Sequence, residues 1–344
     1  QKLDNLAFHP KLGSFLEKSQ RIQKLVDKFA DQLNIDEKEL KTARRAAELC
    51  KADLVTKMVV EMTSLQGVIG RIYAERGGED ALVARAIEEH YWPRFSGDKT
   101  PASKPALLIG VADRIDSLVG LFAAGMAPSG TKDPFGLRRT TIGLLACLID
   151  TGLHFDLNAA LRTAADAYAG KIEISDEIIQ QIAHFIHQRL DAMLIESGCM
   201  YDSVQAATSV QFADPASAAL AARSLDQHKQ NPGWKELLAA YSRCVRITRY
   251  QNTKFDVDET RLIELEEKIL LQAVKDAEKQ SRITGNVDDF ITIFTPLVKL
   301  ITAFFDKVLV MADDQALKES RLGLLQRIAA LAEGVADFSK LEGF

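Results

Sequence analysis

The chain has 344 residues, enough for two domains with buried cores. Hydrophobic residues make up 47% and charged residues 26%, the balance of a folded globular protein rather than a disordered one. The formal net charge of −5 excludes a generally basic nucleic-acid coat, so any RNA contact must come from local clusters.

Nearly every segment has helical rather than strand period. Leu12, Phe15, Leu16, Ile22, Leu25, Val26 and Phe29 recur on one face of a first helix. Residues 43–62 continue in that style, Gly77-Gly78 break it, and 81–89 resume a helix that Pro93 closes. A polar, proline-containing loop follows at 96–105, and then a strongly apolar helix at 106–122 that carries Asp113 and Asp116. The longest turn-rich stretch is 125–136. Its Asp133-Pro134 pair is a good helix entry, with a side-chain acceptor followed by a proline that has no N–H to leave unsatisfied. The next helix starts at Arg138-Arg139 and runs apolar to Ile149, and two more fit 156–169 and 174–197.

Small and polar residues dominate 202–216, which places a domain boundary at about 205/206. Beyond it, 218–225, 234–249, 259–278, 287–309 and 315–340 read as five helices, the last capped by Asp313 or Asp314. Phe304 to Met311 reads as core packing ahead of that cap. The fold class expected is all-α, in two helical bundles covering 1–205 and 206–344.

Cys50, Cys147, Cys199 and Cys244 lie far apart with no CxxC pair for zinc or dithiol chemistry, so buried reduced thiols of an intracellular protein are expected. No apolar run is long enough to cross a bilayer and the start has no signal-peptide pattern, so no membrane partner is expected. The first residue is Gln1 rather than Met, which suggests an excised or processed chain.

Three features could carry chemistry. Asp53 follows Ala52 on one helix and Asp113 sits between Ala112 and Arg114 on another; aspartates among apolar residues are costly unless paired or metal-bound. The arrangement resembles the HD superfamily, whose phosphohydrolases hold a metal through a His, a His-Asp pair and a distant Asp. Asp53 and Asp113 match the two acids, while Ala52 stands where the paired His would be. His9 and His90 could substitute, in which case the chain would be a metal-dependent nucleotide phosphohydrolase. The reading preferred is that Asp53 and Asp113 pair with Lys51, Lys57, Arg114 or Arg139, with no metal and no catalytic residue.

The second feature is the loop Ser129-Gly130-Thr131-Lys132 leading to Arg138 and Arg139, which could hold phosphates or could be an exposed turn. The third is 241–254, which has no acidic residue. Arg243, Arg246, Arg249 and Tyr250 share one helix face there and Lys254 follows, a pattern that suits unstacked RNA bases but also suits a solvated cationic face.

The strings FHPKLGSFLEKSQRI (8–22), KADLVTKMVVEMTSLQGVIGRIYA (51–74) and EHYWPRF (89–95) resemble the β subunit of the heterotetrameric glycyl-tRNA synthetases. So do ADRIDSLVGLFAAGMAPSGTKDPFGLRR (112–139), FFDKVLVMADD (304–314) and VADFSKL (335–341), in the family's order. The resemblance implies a degenerate HD domain over about 1–205, followed by an anticodon-binding bundle of the DALR kind. It implies no cofactor in this chain, with ATP and Mg held by an α subunit or a fused α-like region. Expected partners are tRNA-Gly and that catalytic portion, within a larger oligomer in a bacterial cytoplasm or an organelle stroma. The implied anticodon contacts are Arg243, Arg246, Arg249, Tyr250, Lys254 and Arg321; Lys132, Arg138 and Arg139 would face the acceptor side.

Overall fold

The computed structural model describes residues 2–95 and 97–344; Gln1, and Ser96 at the start of the loop expected at 96–105, lie outside the described residues. Among the described residues the fold is all-α as expected, apart from one small hairpin. It divides into two compact units, Gln1–Met193 with Ala213–Ala216, and Leu194–Phe212 with Ser217–Phe344.

The first unit opens with the antiparallel pair β1 (Ala7–His9) and β2 (Gly13–Ser14), which the helical reading of the sequence did not anticipate. Helix α1 (Phe15–Phe29) starts in a capping box: the Ser14 hydroxyl accepts the Glu17 amide, and the Glu17 carboxylate accepts the Ser14 amide at 2.7 Å. Asp36 and Glu39 repeat the device for α2 (Glu37–Leu49). The expected continuous helix over 43–62 is instead broken. A 3-10 turn at Ala52–Val55 follows α2, and Thr56 caps the short α3 (Lys57–Glu61). The break lets Lys51 and Asp53 both turn inward, where a straight helix would aim them about 200° apart. Helices α4 (Val68–Arg76) and α5 (Ala81–Glu89) pack on each other as a pair.

At the centre runs α6 (Lys104–Ala123), with Pro105 in its first turn and contacts to α1, α2, α5, α7 (Leu137–Thr151) and α8 (Leu157–Asp166). Its Leu108, Ile109, Val111, Ile115, Leu118 and Val119 have no exposed surface, each burial being worth about 1.5–3 kcal/mol. Gly120 is required by packing, since a Cβ there would lie 2.1 Å from Tyr168 Oη. Asp133 does prepare α7, but from ahead of the first turn: its carboxylate accepts the amides of Leu137 and Arg138 at 2.8 and 3.0 Å. Helix α9 (Asp176–Glu196) follows.

The second unit holds α10 (Tyr201–Gln211), α11 (Pro215–His228) from Ser217 onward, α12 (Trp234–Thr248), α13 (Leu265–Glu278), α14 (Val287–Phe294), α15 (Leu297–Lys307) and α16 (Gln315–Ala330). The boundary expected at 205/206 falls inside α10. Helix α12 packs on α15 and α16, and α13 on the same two. Tyr241, Phe290, Phe294 and Phe338 form the aromatic centre, with ring centroids 4.8–5.8 Å apart. The single helix expected over 287–309 is two, because Pro296 has no amide to continue the ladder. The helix expected over 315–340 ends at Ala330; Asp314 caps its start, and Gly334 (φ 76°) lies in the turns that lead to a 3-10 segment at Phe338–Lys340.

Candidate functional site

In the first unit, the acidic residues of α6 meet cations from α1 and from the turn that follows α2. Lys18 and Arg21, one turn apart on α1, are buried against Asp116, with contacts of 2.9 and 2.6 Å. Lys18 also lies 2.8 Å from Asp113 Oδ1, and Lys51 lies 2.7 Å from Asp113 Oδ2. Burial alone would raise the pKa of Asp113, but Lys18 and Lys51 hold it well below the usual carboxylate range. Burial likewise opposes the charge on Lys51, yet Asp113 beside it outweighs that and raises its pKa above the ordinary lysine value.

The same ammonium lies 3.0 Å from His90 Nε2 and 4.2 Å from the centre of the Tyr91 ring. His90 Nδ1 donates to the Ile87 carbonyl at 2.7 Å, which leaves Nε2 as the acceptor for Lys51. Burial and the neighbouring Lys51 push the His90 pKa well below its usual value, so the imidazole is neutral at pH 7.

Asp53 stands apart from this cluster. Its Oδ2 accepts the Gly67 amide at 2.6 Å, Oδ1 has no partner among the described residues, and burial raises its pKa. Of the pairings expected for the two acids, only Asp113 with Lys51 forms. Arg114 instead donates to the main-chain carbonyls of His90, Gly110 and Trp92 at 3.2, 3.0 and 2.6 Å.

The residues present do not fit a divalent ion. Both oxygens of Asp113 face ammonium groups, the imidazole acceptor faces one of them, and Asp53 is held by a backbone amide. Among the described residues no group of three His, Cys, Asp or Glu is arranged to hold a metal. The sequence reading missed Lys18, Arg21 and the Lys51–His90 contact. The available signal was a basic pair three residues apart among the core-facing positions of α1.

The loop ahead of α7 is an open turn in which Ser129 and Lys132 exchange both backbone hydrogen bonds. Lys132 and Arg139 are exposed, and Arg138 donates to the Gly130 carbonyl at 2.6 Å.

In the second unit, Arg243, Arg246 and Arg249 all lie exposed at the C-terminal end of α12, but they are not equivalent. The Arg243 guanidinium lies over the Phe305 ring at 4.3 Å. Arg246 donates to the main-chain oxygen of Phe344 and approaches that ring at 5.6 Å. Arg249 closes the helix, and Tyr250 just beyond it is 80% exposed. Lys254 is exposed in the following loop. The side chains of Arg249, Tyr250 and Lys254 have no partner among the described residues, so this end of the stripe is the part open to a ligand.

Arg321 corrects the expectation that it joins this face. Its side chain is buried, 2.5 Å from the fully buried carboxylate of Glu267, and it donates to the Leu309 carbonyl at 2.8 Å. A guanidinium so committed ties α16 to α13 inside the bundle. The neighbouring Ser320 hydroxyl accepts the Asp258 amide at 2.9 Å, which fixes the loop that carries the chain from α12 to α13.

All four cysteines are free and buried, and burial pushes the thiols of Cys50 and Cys244 up to about 12. Among the described residues no helix is long and apolar enough to cross a membrane.

Comparison with known proteins places both units. Residues 1–209 match the family model of the glycyl-tRNA synthetase beta subunit, and residues 237–336 match that of the DALR anticodon binding domain. The chain is 37% identical over 347 residues to the glycine–tRNA ligase beta subunit of Moorella thermoacetica, covering 99% of this chain and 50% of the relative. It is 38% identical to the Myxococcus xanthus beta subunit at the same coverages. Against the chloroplastic/mitochondrial glycine–tRNA ligase 2 of Arabidopsis thaliana it is 34% identical, covering 100% of this chain and 32% of the relative. The chain thus spans about half the length of the bacterial relatives it matches. Its helical architecture, its matched segments and these relatives agree: the chain belongs to the glycyl-tRNA synthetase β-subunit family.

Proposed function

We propose that this chain is the tRNA-binding part of a glycine–tRNA ligase, holding tRNA-Gly while an α subunit, or a fused α-like region, joins glycine to it with ATP and Mg. The observation that carries the reading is the exposed Arg249 and Tyr250 at the end of α12 with Lys254 in the following loop, in a bundle whose residues 237–336 match an anticodon-binding family. Guanidinium and ammonium groups there bind phosphates and set register, while the tyrosine ring offers a stacking surface for an unpaired base. Arg243 and Arg246, already lying against protein rings, add positive charge next to it. Such clusters act over a Debye length of about 8 Å, so the negative net charge of the chain does not prevent them.

In this reading the first unit is a helical scaffold of HD descent that performs no bond chemistry, because the Lys51 ammonium occupies the ground between His90 and Asp113. Lys132, Arg138 and Arg139 would add phosphate contacts on the acceptor side. The binding assists aminoacylation by fixing the position of the tRNA 3′ end relative to a catalytic centre elsewhere in the enzyme, as part of a larger oligomer.

The test is a filter-binding comparison of tRNA-Gly with unrelated tRNAs at several salt concentrations. The expected result is preferential binding of tRNA-Gly that weakens as salt rises. Equal affinity for all tRNAs, or none at low salt, would overturn the reading.

A further inference from the structure

The first unit contains a cavity of about 500 Å³, within the size range of small-ligand sites, beside the Lys51–His90–Asp113 cluster. Its wall includes Arg94, Arg114 and Arg139, the hydroxyls of Ser64 and Thr140, and the edge of Asp113. None of the three arginines forms a salt bridge with a carboxylate among the described residues. The one acid at the wall is more than neutralised, since Lys18 and Lys51 both contact it. Lys18 is shared with Asp116, but Asp116 has Arg21 as well, so the surplus positive charge remains.

The arginines divide the work. Arg114 spends its donors on the carbonyls of His90, Gly110 and Trp92 and contributes charge alone. Arg94 makes one long contact to the Gln66 carbonyl at 3.3 Å, and the exposed Arg139 side chain has no partner among the described residues. Two guanidiniums with donors to spare, in the wall of a positively charged cavity that also carries the Ser64 hydroxyl, suit the charge and acceptor oxygens of a phosphate.

We propose that this cavity binds the phosphate group of a nucleotide, with Arg139 and Arg94 as its principal donors. The phosphate could come from a free mononucleotide or from an RNA strand, and the chemistry of recognition is shared. The inference is independent of the anticodon surface in the second unit; its RNA-strand outcome rests on the acceptor-side reading of the first unit, which shares Arg139, whereas its free-nucleotide outcome does not.

Equilibrium titration of the whole chain at low ionic strength, with four small probes, tests it. Orthophosphate and AMP carry a phosphate or its monoester, the dinucleotide ApA carries only a phosphodiester, and adenosine carries none. Saturable binding of AMP or ApA with none of adenosine is expected; a preference for AMP marks the free-nucleotide source and a preference for ApA the RNA strand. Arg139→Ala should weaken the bound probe about tenfold, with Arg139→Lys recovering part of the loss. Arg139 is exposed, so the variant should keep the parent's melting temperature, and Arg94→Ala supplies an independent second loss. If no phosphate-bearing probe saturates by millimolar concentration, or if both alanine variants bind like the parent, the proposal fails.

Discussion

Lys51 and His90 are joined by a 3.0 Å contact in which a buried ammonium donates to a neutral imidazole while also facing Asp113 at 2.7 Å. A positive charge fixed by the chain itself therefore lies between an imidazole and a carboxylate, two groups that elsewhere would suit a metal. Removing it should be expensive. Lys51→Met leaves Asp113 with Lys18 alone and the Nε2 of His90 without its donor, a loss of about 3–5 kcal/mol by the usual cost of breaking a buried pair. Adding Asp113→Asn should restore part of that stability. Urea unfolding of the single and double variants measures both; a cost below about 1 kcal/mol for Lys51→Met would mean that the ammonium does not hold this position.

His90 gives the cluster a pH signature. Its folded pKa lies well below the ordinary histidine value, so the unfolded chain takes up a proton there that the folded chain refuses. Stability from this group is thus complete above about pH 6.5 and is lost as pH falls toward the folded pKa, with a slope reaching about 1.4 kcal/mol per pH unit. His187, also lowered by burial, acts in the same direction, so the parent alone cannot assign the slope. The difference between the parent and His90→Gln can. Between pH 7 and 5 the variant should lose stability less steeply, by up to one proton. Parallel curves would show that His90 titrates alike in both states.

Glu267 and Arg321 offer a test that separates stability from binding. The pair is buried and joins α13 to α16, so Arg321→Met should destabilise the second unit by about 3–5 kcal/mol. At temperatures where the variant remains folded, its affinity for tRNA should match that of the parent. A folded Arg321→Lys variant with sharply weaker RNA binding would return Arg321 to the interface.

What the sequence made legible follows from how local each feature is. Helical period, a cap at Asp313 or Asp314 and the cationic stripe of α12 are properties of neighbouring residues, and all were readable, though only the structure chose Asp314. The break at Pro296 was readable too, since a proline cannot donate inside a helix, but the apolar run around it hid it. Partnerships were not legible. Arg321 and Arg249 are the same residue type on helices of the same unit, and a buried Glu267 on another helix partners the interior one while the other stays exposed. Similarly, Lys18 and Lys51 meet Asp113 across 95 and 62 residues of sequence, a convergence that no spacing rule reports.

The division within the α12 stripe leads to the last prediction. Arg243 and Arg246 already lie against Phe305 and Phe344, whereas Arg249 and Tyr250 have no such engagement. Arg249→Ala should therefore weaken tRNA-Gly binding without lowering the melting temperature, and should make the salt dependence shallower by about one counterion. Tyr250→Ala should cost about tenfold in affinity if a base stacks on the ring, with the salt slope unchanged because no charge is lost. Reversing charge at two positions with Arg246→Glu and Arg249→Glu together should reduce binding more than either alanine variant. Filter binding across a salt series, with melting curves for each variant, separates these effects. Should Arg243→Ala weaken binding while Arg249→Ala and Tyr250→Ala leave it intact, the RNA would contact the face of α12 nearest Phe305 rather than the end of the helix.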